Sequence, residues 1–247
     1  MRSASDLNFS NLCDRVGRGK ITEEDEKYLK SRVQFTNSEN CNEKFKNGLI
    51  SIIVTTNKKR NLVNSQKLSE LLPGGKLYVC NSIDRVKNLP GDHKLPKSVK
   101  DNPGKTGNLQ SELNLKVGAP VVITTNHSKQ KYKEDGIVNG GYVSSIQVSK
   151  IDPDKVEVIW VVFNKESVGK LYRFENRHLR KTFDPGHDQA TPILPQRKNF
   201  TVKFGNVEYQ RTNFPLSLAY AITAHKCQGE TLEEVVLDFG PDLTHKI

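Results

Sequence analysis

The sequence predicts an α/β fold that carries a β-rich insert, and three observations support this prediction. Residues 49–56 form a short apolar run of mainly β-branched side chains, and helical spacing follows over residues 58–72. Residues 113–209 contain closely spaced strand patterns separated by turn residues. Residues 214–240 then return to a helix pattern and an apolar strand pattern. The element order is therefore α, β-α, a β-rich insert and α-β.

Two helices are predicted at the N-terminus. Residues 7–16 place apolar side chains near helical spacing, and Gly17 and Gly19 interrupt the pattern. Thr22 is a suitable N-cap for a second helix, because its hydroxyl can accept a hydrogen bond from a free backbone N–H. The acidic residues 23–25 fall in the first turn of that helix, where negative charge favours the helix dipole.

The next segment predicts a strand followed by a helix. The apolar run at 49–56 is typical of a strand in a sheet that is covered on both faces. The helix of residues 58–72 is expected to end at the Pro-Gly-Gly sequence of residues 73–75. Residues 81–112 are polar and rich in Lys, Asn, Pro and Gly, so a solvated loop is favoured there, although its lysines could contact a nucleic-acid backbone.

Strand patterns dominate the middle of the chain. They cover residues 113–126, 142–151, 155–163, 169–174 and 200–214. Trp160 fits the core of one of these strands. Short strands joined by turns predict a small antiparallel barrel or a meander.

The last informative segment combines an apolar run with a polar cluster. Pro215 can begin a helix, because its missing N–H costs nothing in the first turn, and residues 216–222 can bury one face. The polar residues that follow are Thr223, His225, Lys226, Cys227, Gln228 and Gly229. Hydroxyl, imidazole and ammonium groups can hydrogen-bond phosphates, and a glycine lets backbone amides approach a phosphate. Taken singly, however, His225 is more typical of a surface or core histidine, and Gly229 of a helix C-cap.

The overall composition narrows the class of partner. The formal net charge is +10, so the surface attracts polyanions, and nucleic acid is the favoured partner. A positive charge spread evenly over the surface, which serves only to keep the protein in solution, explains the value equally well. The four cysteines are far apart without a zinc-ligand or disulfide spacing, which favours a reducing compartment. No run of about 20 apolar residues is present, so an intracellular protein without membrane contact is expected.

Residues 221–240 resemble motif V of the Pif/RecD-type branch of superfamily 1 helicases. The chain reads AITAHKCQGETLEEVVLDFG, and the family pattern is approximately AITIHKSQGxTLxxVVxDxG. Further segments resemble that family in the expected order, at residues 10–33, 52–68, 113–126 and 136–143. Two departures stand out: Cys227 replaces the usual Ser or Ala and leaves a weaker thiol donor, and Tyr142-Val143 replaces a glycine.

The resemblance implies an architecture. Residues 46–140 and 210–247 would form the second RecA-like, parallel-sheet lobe of a P-loop NTPase superfamily motor. The strand at 49–56, the helix after it, the strand near residue 120 and residues 214–240 would build this lobe. Residues 141–209 would form an inserted Src-homology-3-like barrel, which packs beside the DNA path in such motors. Residues 1–45 would be a helical remnant of the end of the first lobe.

The resemblance also implies residue roles. Thr223, His225, Lys226, Thr55 and Asn57 match family positions on the nucleic-acid side, although Thr55 and Asn57 fit a strand end with an Asn turn equally well. Gln228, Gly229 and Glu230 are candidates for linking strand contact to the nucleotide. The implied cofactors of the full-length enzyme are ATP and Mg²⁺. No catalytic residue and no metal ligand is assigned within this chain.

The motifs that would perform ATP hydrolysis are not found in the sequence. No GxxxxGK[ST] pattern occurs, and the Gly-Lys-Thr at residues 104–106 lacks the rest of the phosphate-binding loop. No convincing Walker B pair and no motif VI arginine is present either. We therefore expect either a fragment of a longer polypeptide, whose first lobe lies elsewhere in the same chain, or a truncated product that has lost the motor.

Three functions follow as hypotheses. The leading one is a part of an ATP-dependent DNA helicase that supplies grip on single-stranded DNA and half of the nucleotide cleft, without ATPase activity of its own. The alternative is a non-enzymatic nucleic-acid-binding module derived from a truncated helicase. A peptide-binding barrel is least favoured, because the chain has only 7 tyrosines and 1 tryptophan to build an aromatic groove. A nuclear or mitochondrial location is expected in a eukaryote, and a cytoplasmic one otherwise.

Overall fold

A computed structural model describes most of the chain. The described residues are 7–32, 51–71, 75–87, 95–140, 142–152, 155–181, 184–202, 207–227 and 235–238. The chain divides into two compact units, Met1–Lys44 with Phe239–Ile247 and Phe45–Asp238. Within the described ranges, no helix has the length and apolar character needed to cross a membrane.

The first unit contains two helices, α1 (Leu7–Gly17) and α2 (Glu23–Ser31), as the sequence predicts. Thr22 caps α2 in a capping box: its hydroxyl accepts from the Asp25 N–H, and the Asp25 carboxylate accepts from the Thr22 N–H. The same carboxylate accepts two hydrogen bonds from the Arg15 guanidinium, at 2.6 and 2.7 Å. These bonds hold the pKa of Asp25 far below its usual value and tie α2 to α1.

The second unit carries the strands. In chain order its elements are β1 Ser51–Val54, α3 Asn57–Glu70, β2 Tyr78–Asn81, β3 Ile83–Val86, α4 Lys97–Lys100, a 3₁₀ turn Pro103–Lys105, β4 Glu112–Leu115, β5 Val121–Ile123, α5 Gln130–Glu134, β6 Tyr142–Asp152, β7 Lys155–Phe163, α6 Lys170–Glu175, a 3₁₀ turn Arg177–Lys181, β8 Thr191–Ile193, β9 Gln196–Val202, β10 Val207–Asn213, β11 Leu216–Leu218, β12 Ala221–Thr223, α7 Ala224–Cys227 and β13 Val235–Asp238.

A three-stranded parallel sheet has the order β12-β1-β13. Ile53 of β1 pairs with Ile222 on one side and with Leu237 on the other. β1 is largely buried and β12 is fully buried, as expected for a parallel sheet covered on both faces. The predicted buried strand at 49–56 and the helix that follows it are therefore confirmed, and the α/β class with them.

A five-stranded antiparallel sheet has the order β11-β5-β6-β7-β8, and its strands contribute Val121, Ile159 and Leu216, among others, to the main hydrophobic core. Its longest hairpin joins β6 to β7, and Trp160 of β7 is buried as predicted. The strand near residue 120, β5, belongs to this antiparallel sheet and not to the parallel one. Its two hydrogen-bonding edges are taken by β11 and β6, both antiparallel to it. The sheet thus draws strands from both sides of the predicted barrel boundary at residue 141, and the division into lobe and barrel stays a prediction.

A second antiparallel group lies in the order β3-β10-β9. β9 and β10 pair antiparallel where the sequence predicted a single strand-like segment over residues 200–214. β3 was predicted as loop, but it pairs with β10 from Ile83 to Val86. Only four residues long, with alternating exposure, it offers too little apolar pattern to stand out in a polar segment.

The helix predicted to begin at Pro215 is absent from the described residues, because two short strands take its place. Leu216–Leu218 pairs with β5, and Ala221–Thr223 pairs with β1. A one-sided apolar stripe fits a helix on a surface, whereas nearly every residue of these strands is buried. Helix α7 begins only at Ala224.

The segment Gly169–Phe174 was predicted as a strand, and it is instead the helix α6. Gly169 adopts a φ of 74°, which glycine reaches without strain, and this turns the chain into the helix. The Asp135 carboxylate then accepts hydrogen bonds from the N–H groups of Leu171 and Tyr172, at 3.0 and 2.9 Å. A residue 36 positions away therefore supplies the cap of α6, which no local pattern reveals.

The Gly-Lys-Thr tripeptide at 104–106 has a structural role. Thr106 is fully buried, and its hydroxyl accepts a hydrogen bond from Arg211 Nη1 at 2.9 Å. Arg211 is also fully buried and forms a two-point ion pair with Asp84, at 2.7 and 2.8 Å. It donates further to the carbonyls of Lys100 and Leu109. One side chain therefore joins β3, β10 and the 100–109 segment.

Candidate nucleic-acid interface

Parallel strands end at the same edge of a sheet, and this geometry gathers the predicted contact residues. Val54, the last residue of β1, pairs with Thr223 of β12 and with Asp238 of β13. The residues that follow β1 and β12 therefore emerge side by side. We call residues 55–60 and 223–227, together with Asp238, the carboxyl edge.

The β1 side of the carboxyl edge contains Thr55 and Asn57, and both side chains are exposed. The cap of α3 is the residue between them, because the Thr56 hydroxyl accepts from the Lys59 N–H at 3.2 Å. The Asn57 side chain accepts a hydrogen bond from Arg60 Nη1 at 2.8 Å. Asn57 is thus the first residue of α3 and not part of an Asn turn, the alternative that the sequence left open, and its side chain holds the Arg60 guanidinium at the edge.

The β12 side contains Thr223, His225 and Lys226. Thr223 keeps only 8% of its surface accessible, whereas His225 and Lys226 are exposed on α7. Crowding by protein atoms, together with the positive charge of Arg60, lowers the pKa of Lys226. The Cys227 thiol donates to the Ala224 carbonyl at 3.1 Å, so it is engaged within its own helix.

A buried asparagine fixes the two sides relative to each other. Asn64 of α3 donates through Nδ2 to the carbonyls of Ala221 and Leu218, at 3.1 and 3.3 Å. Its Oδ1 accepts from the Ala221 N–H at 2.8 Å. The start of β12 is therefore held to the helix that follows β1. The sequence offered one signal for this residue, a polar side chain on the apolar face of a helix.

Two cations at this edge were missed by the sequence interpretation. Arg60 lies one helical turn into α3, and burial lowers its pKa. Lys59 forms an ion pair with Asp238 at 3.3 Å, which ties the end of β13 to α3. The Lys-Lys-Arg run directly after the strand was the available signal.

The remaining predicted residues have no described position. Gln228, Gly229 and Glu230 lie outside the described residues, so the nucleotide part of the site stays a prediction. Within the described ranges, no group of three or more His, Cys, Asp or Glu side chains could hold a metal ion. The described part of the edge offers hydroxyl, amide, imidazole, guanidinium and ammonium donors, a set suited to an anion.

The known proteins to which this chain is similar are Pif1 helicases. No family model matches the chain. The chain is 24% identical over 240 residues to an ATP-dependent DNA helicase Pif1 of Campylobacter jejuni, and the match covers 96% of this chain and 46% of that protein.

Solved structures show the same relationship in the fold. The crystal structure of a Pif1 helicase from Candida albicans matches 96% of this chain and 48% of its own, with a TM-score of 0.60 and 21% identity. A Pif1 helicase from Bacteroides, in complex with ADP-AlF3 and ssDNA, matches 96% of this chain and 44% of its own, with a TM-score of 0.58 and 20% identity. The chain therefore spans about half the length of the Pif1 helicases that it matches. Over that half it is homologous in sequence to the Campylobacter protein and similar in fold to the two solved structures.

Proposed function

We propose that the chain is the strand-gripping part of an ATP-dependent DNA helicase. The observation that carries this proposal is the carboxyl edge, where residues predicted from two distant segments meet. Thr55 and Asn57 follow β1, and His225 and Lys226 follow its parallel neighbour β12. The similarity to a Pif1 helicase whose structure holds ssDNA supports DNA as the ligand.

The edge would bind the phosphate backbone rather than the bases. The exposed Lys226 ammonium and the His225 ring N–H can approach phosphate oxygens, and Asn57 and Thr55 can add neutral donors. Burial, and secondarily repulsion by the positive charge of Arg60, lower the pKa of Lys226 in the free protein. A phosphate between them would relieve this repulsion.

The nucleotide cleft is the second part of the proposal. Gln228, Gly229 and Glu230 directly follow the strand-contacting residues in sequence. We assign them to half of an ATP site, whose other half, with Mg²⁺, would belong to the first helicase lobe in the same polypeptide. A short segment would then carry both the strand contact and the nucleotide contact. The proposed substrate fits a nuclear, mitochondrial or bacterial cytoplasmic location.

Binding of a fluorescent oligothymidylate at low salt, followed by anisotropy, tests the strand contact. We expect the chain to bind and the double variant His225→Ala/Lys226→Ala to bind at least several-fold more weakly. The double variant His187→Ala/Lys105→Ala removes the same two side-chain types from exposed positions elsewhere, and it should bind like the wild type. Equal affinities for all three proteins, or no binding by the wild type, would contradict the proposal.

The motor role is tested separately, by ATP hydrolysis. The 247-residue chain alone should show no DNA-stimulated ATPase activity. In a longer polypeptide that includes a first helicase lobe, such activity should appear, and Lys226→Ala should reduce its stimulation by DNA. Strand binding without any ATPase in the longer polypeptide would favour the non-enzymatic binding module instead.

A further inference from the structure

An exposed aromatic ring lies far from the carboxyl edge in sequence. Phe174, at the end of α6, has 63% of its surface accessible, the largest value for a large hydrophobic residue among the described positions of the second unit. Single exposed apolar residues are ordinary on protein surfaces. The residues around Phe174 therefore decide whether its exposed ring can bind a ligand.

A cation is held against one face of this ring. The Arg177 guanidinium lies 4.3 Å from the centroid of the Phe174 ring. Arg177 Nη1 also donates to the Phe174 carbonyl at 2.9 Å, which keeps the guanidinium in place. With Arg177 on one face and the ring exposed, a flat ligand can stack on the remaining surface.

The charge around the ring is positive. Residues 170–181 contain five Lys or Arg and one acid, Glu175. That acid is already neutralised, because it forms an ion pair with Lys131 at 2.7 Å and accepts a hydrogen bond from Tyr132.

Two of the five cations in this segment serve the fold. Arg173 donates to the carbonyls of Val168 and Glu166, and Arg180 donates to carbonyls between residues 187 and 190. The other three, Lys170, Arg177 and Lys181, are exposed and have no carboxylate partner among the described residues. The accessible charge beside the ring is therefore cationic.

The helix α6, which carries the Phe174 ring, is anchored to the rest of the second unit. The opposite face of α6 is anchored by Tyr172, which is buried in the main core. The Asp135 carboxylate caps the helix through two N–H groups. Burial raises the pKa of Tyr172 to about 12, so this anchor stays neutral in ordinary buffers. A rigid platform loses little entropy when a ligand stacks on it.

We propose that Phe174 and Arg177 form a stacking platform for an unpaired base of single-stranded nucleic acid, with Lys170 and Lys181 contacting the adjacent phosphates. The proposal rests on the proposed function, because it places a second contact for the strand that the carboxyl edge would grip. An exposed Phe and Arg beside free lysines fit a polyanion with flat bases better than an apolar protein surface.

An abasic strand separates stacking from charge. We would compare oligothymidylate with an abasic oligomer of equal length, using the full chain. The wild type should prefer the base-containing strand. Phe174→Ala should lose that preference, with oligothymidylate binding weakened roughly five- to 150-fold, the usual range for one stacked base. Binding of the abasic strand should change little.

Two further variants control for surface area and folding. Phe174→Trp should keep the preference for bases, whereas Phe174→Leu, which is apolar but has no ring, should lose it. Because Phe174 is exposed, thermal unfolding of all three variants should match that of the wild type.

Each outcome bears on a defined claim. If the wild type binds oligothymidylate and Phe174→Ala binds it equally well, the platform is overturned while the proposed function stands. Stacking is also overturned if Phe174→Ala weakens binding of both strands equally, or if Phe174→Leu keeps the wild-type preference for the base-containing strand. Either result favours an apolar partner for this surface. If the wild type binds neither strand, both the platform and the proposed function fail.

Discussion

At the scale of single residues, the most consequential side chain outside the candidate site is Arg211. A fully buried guanidinium is stable only when its N–H groups are satisfied, and here it contacts Asp84, Thr106 and two backbone carbonyls. Replacing Arg211 would remove both hydrogen bonds that the Asp84 carboxylate accepts from it. The cost of such a change lies mainly in the unpaired Asp84 carboxylate.

We therefore predict that Arg211→Met destabilises the second unit by about 3–5 kcal/mol, the range for breaking a buried ion pair. Urea unfolding followed by circular dichroism measures this. Adding Asp84→Ala should recover part of the loss, because the two changes are coupled. The exposed neighbour Arg85→Met serves as the control and should change stability by about 0.5 kcal/mol or less. Equal effects of Arg85→Met and Arg211→Met would contradict the role of the buried pair.

At the scale of elements, the capping box of α2 predicts a pH dependence. Hydrogen bonds from Arg15 and Thr22 lower the pKa of Asp25 in the folded state. A group with a depressed folded pKa contributes stability that is complete above its unfolded pKa, about 3.9 for Asp, and that is lost as the pH falls below this value.

Amide hydrogen exchange across α2 can test this prediction with the wild type and Asp25→Asn compared at each pH. At pH 7 the α2 amides of the wild type should be better protected than those of the variant. The difference should shrink between pH 4 and pH 2, because the Asp25 carboxylate binds a proton there when α2 is unfolded but resists protonation when α2 is folded. Glu24→Gln, in the same helical turn, should show a much smaller difference at pH 7. A wild-type advantage that persists unchanged at pH 2 would refute this account.

The elements also show which parts of the fold a sequence can predict. Strand β1, helix α3 and the cap at Thr22 depend on local patterns, and all three were predicted. Strands β11 and β12 and helix α6 depend on distant partners, namely Asn64 for β12 and Asp135 for α6. The short-range pattern there favoured the wrong element, because the hydrogen bonds that decide the structure come from residues far along the chain.

In the candidate site, too, some residues could be predicted from the sequence and others could not. The family resemblance identified Thr223, His225 and Lys226, and the parallel pairing of β1 with β12 places them beside Thr55 and Asn57. Their roles in binding remain predictions. The sequence interpretation did not find Arg60, Asn64 or the pairing of Lys59 with Asp238, because each depends on the three-dimensional position of α3 against the sheet.

At the scale of the whole molecule, the net charge of +10 predicts a salt-dependent affinity for nucleic acid. Each phosphate contact to a single strand contributes about 0.7 to the slope of log affinity against log salt concentration. Lys226→Ala should therefore reduce the slope by roughly 0.7, whereas Lys105→Ala should leave it unchanged. Anisotropy titrations between about 50 and 200 mM salt measure this slope. An affinity independent of salt would exclude backbone contacts as the source of binding.

The pairing of β1 has a consequence for biosynthesis. Both neighbours of this strand, β12 and β13, come from the end of the second unit, and roughly 170 residues separate Ile52 from its partner Ala221. At a synthesis rate of about 5–20 residues per second, an apolar strand with two open edges waits for roughly 8 to 35 s on the ribosome. During that interval neither hydrogen-bonding edge of β1 has its partner, and a chain that ends before residue 221 cannot form the three-stranded parallel sheet.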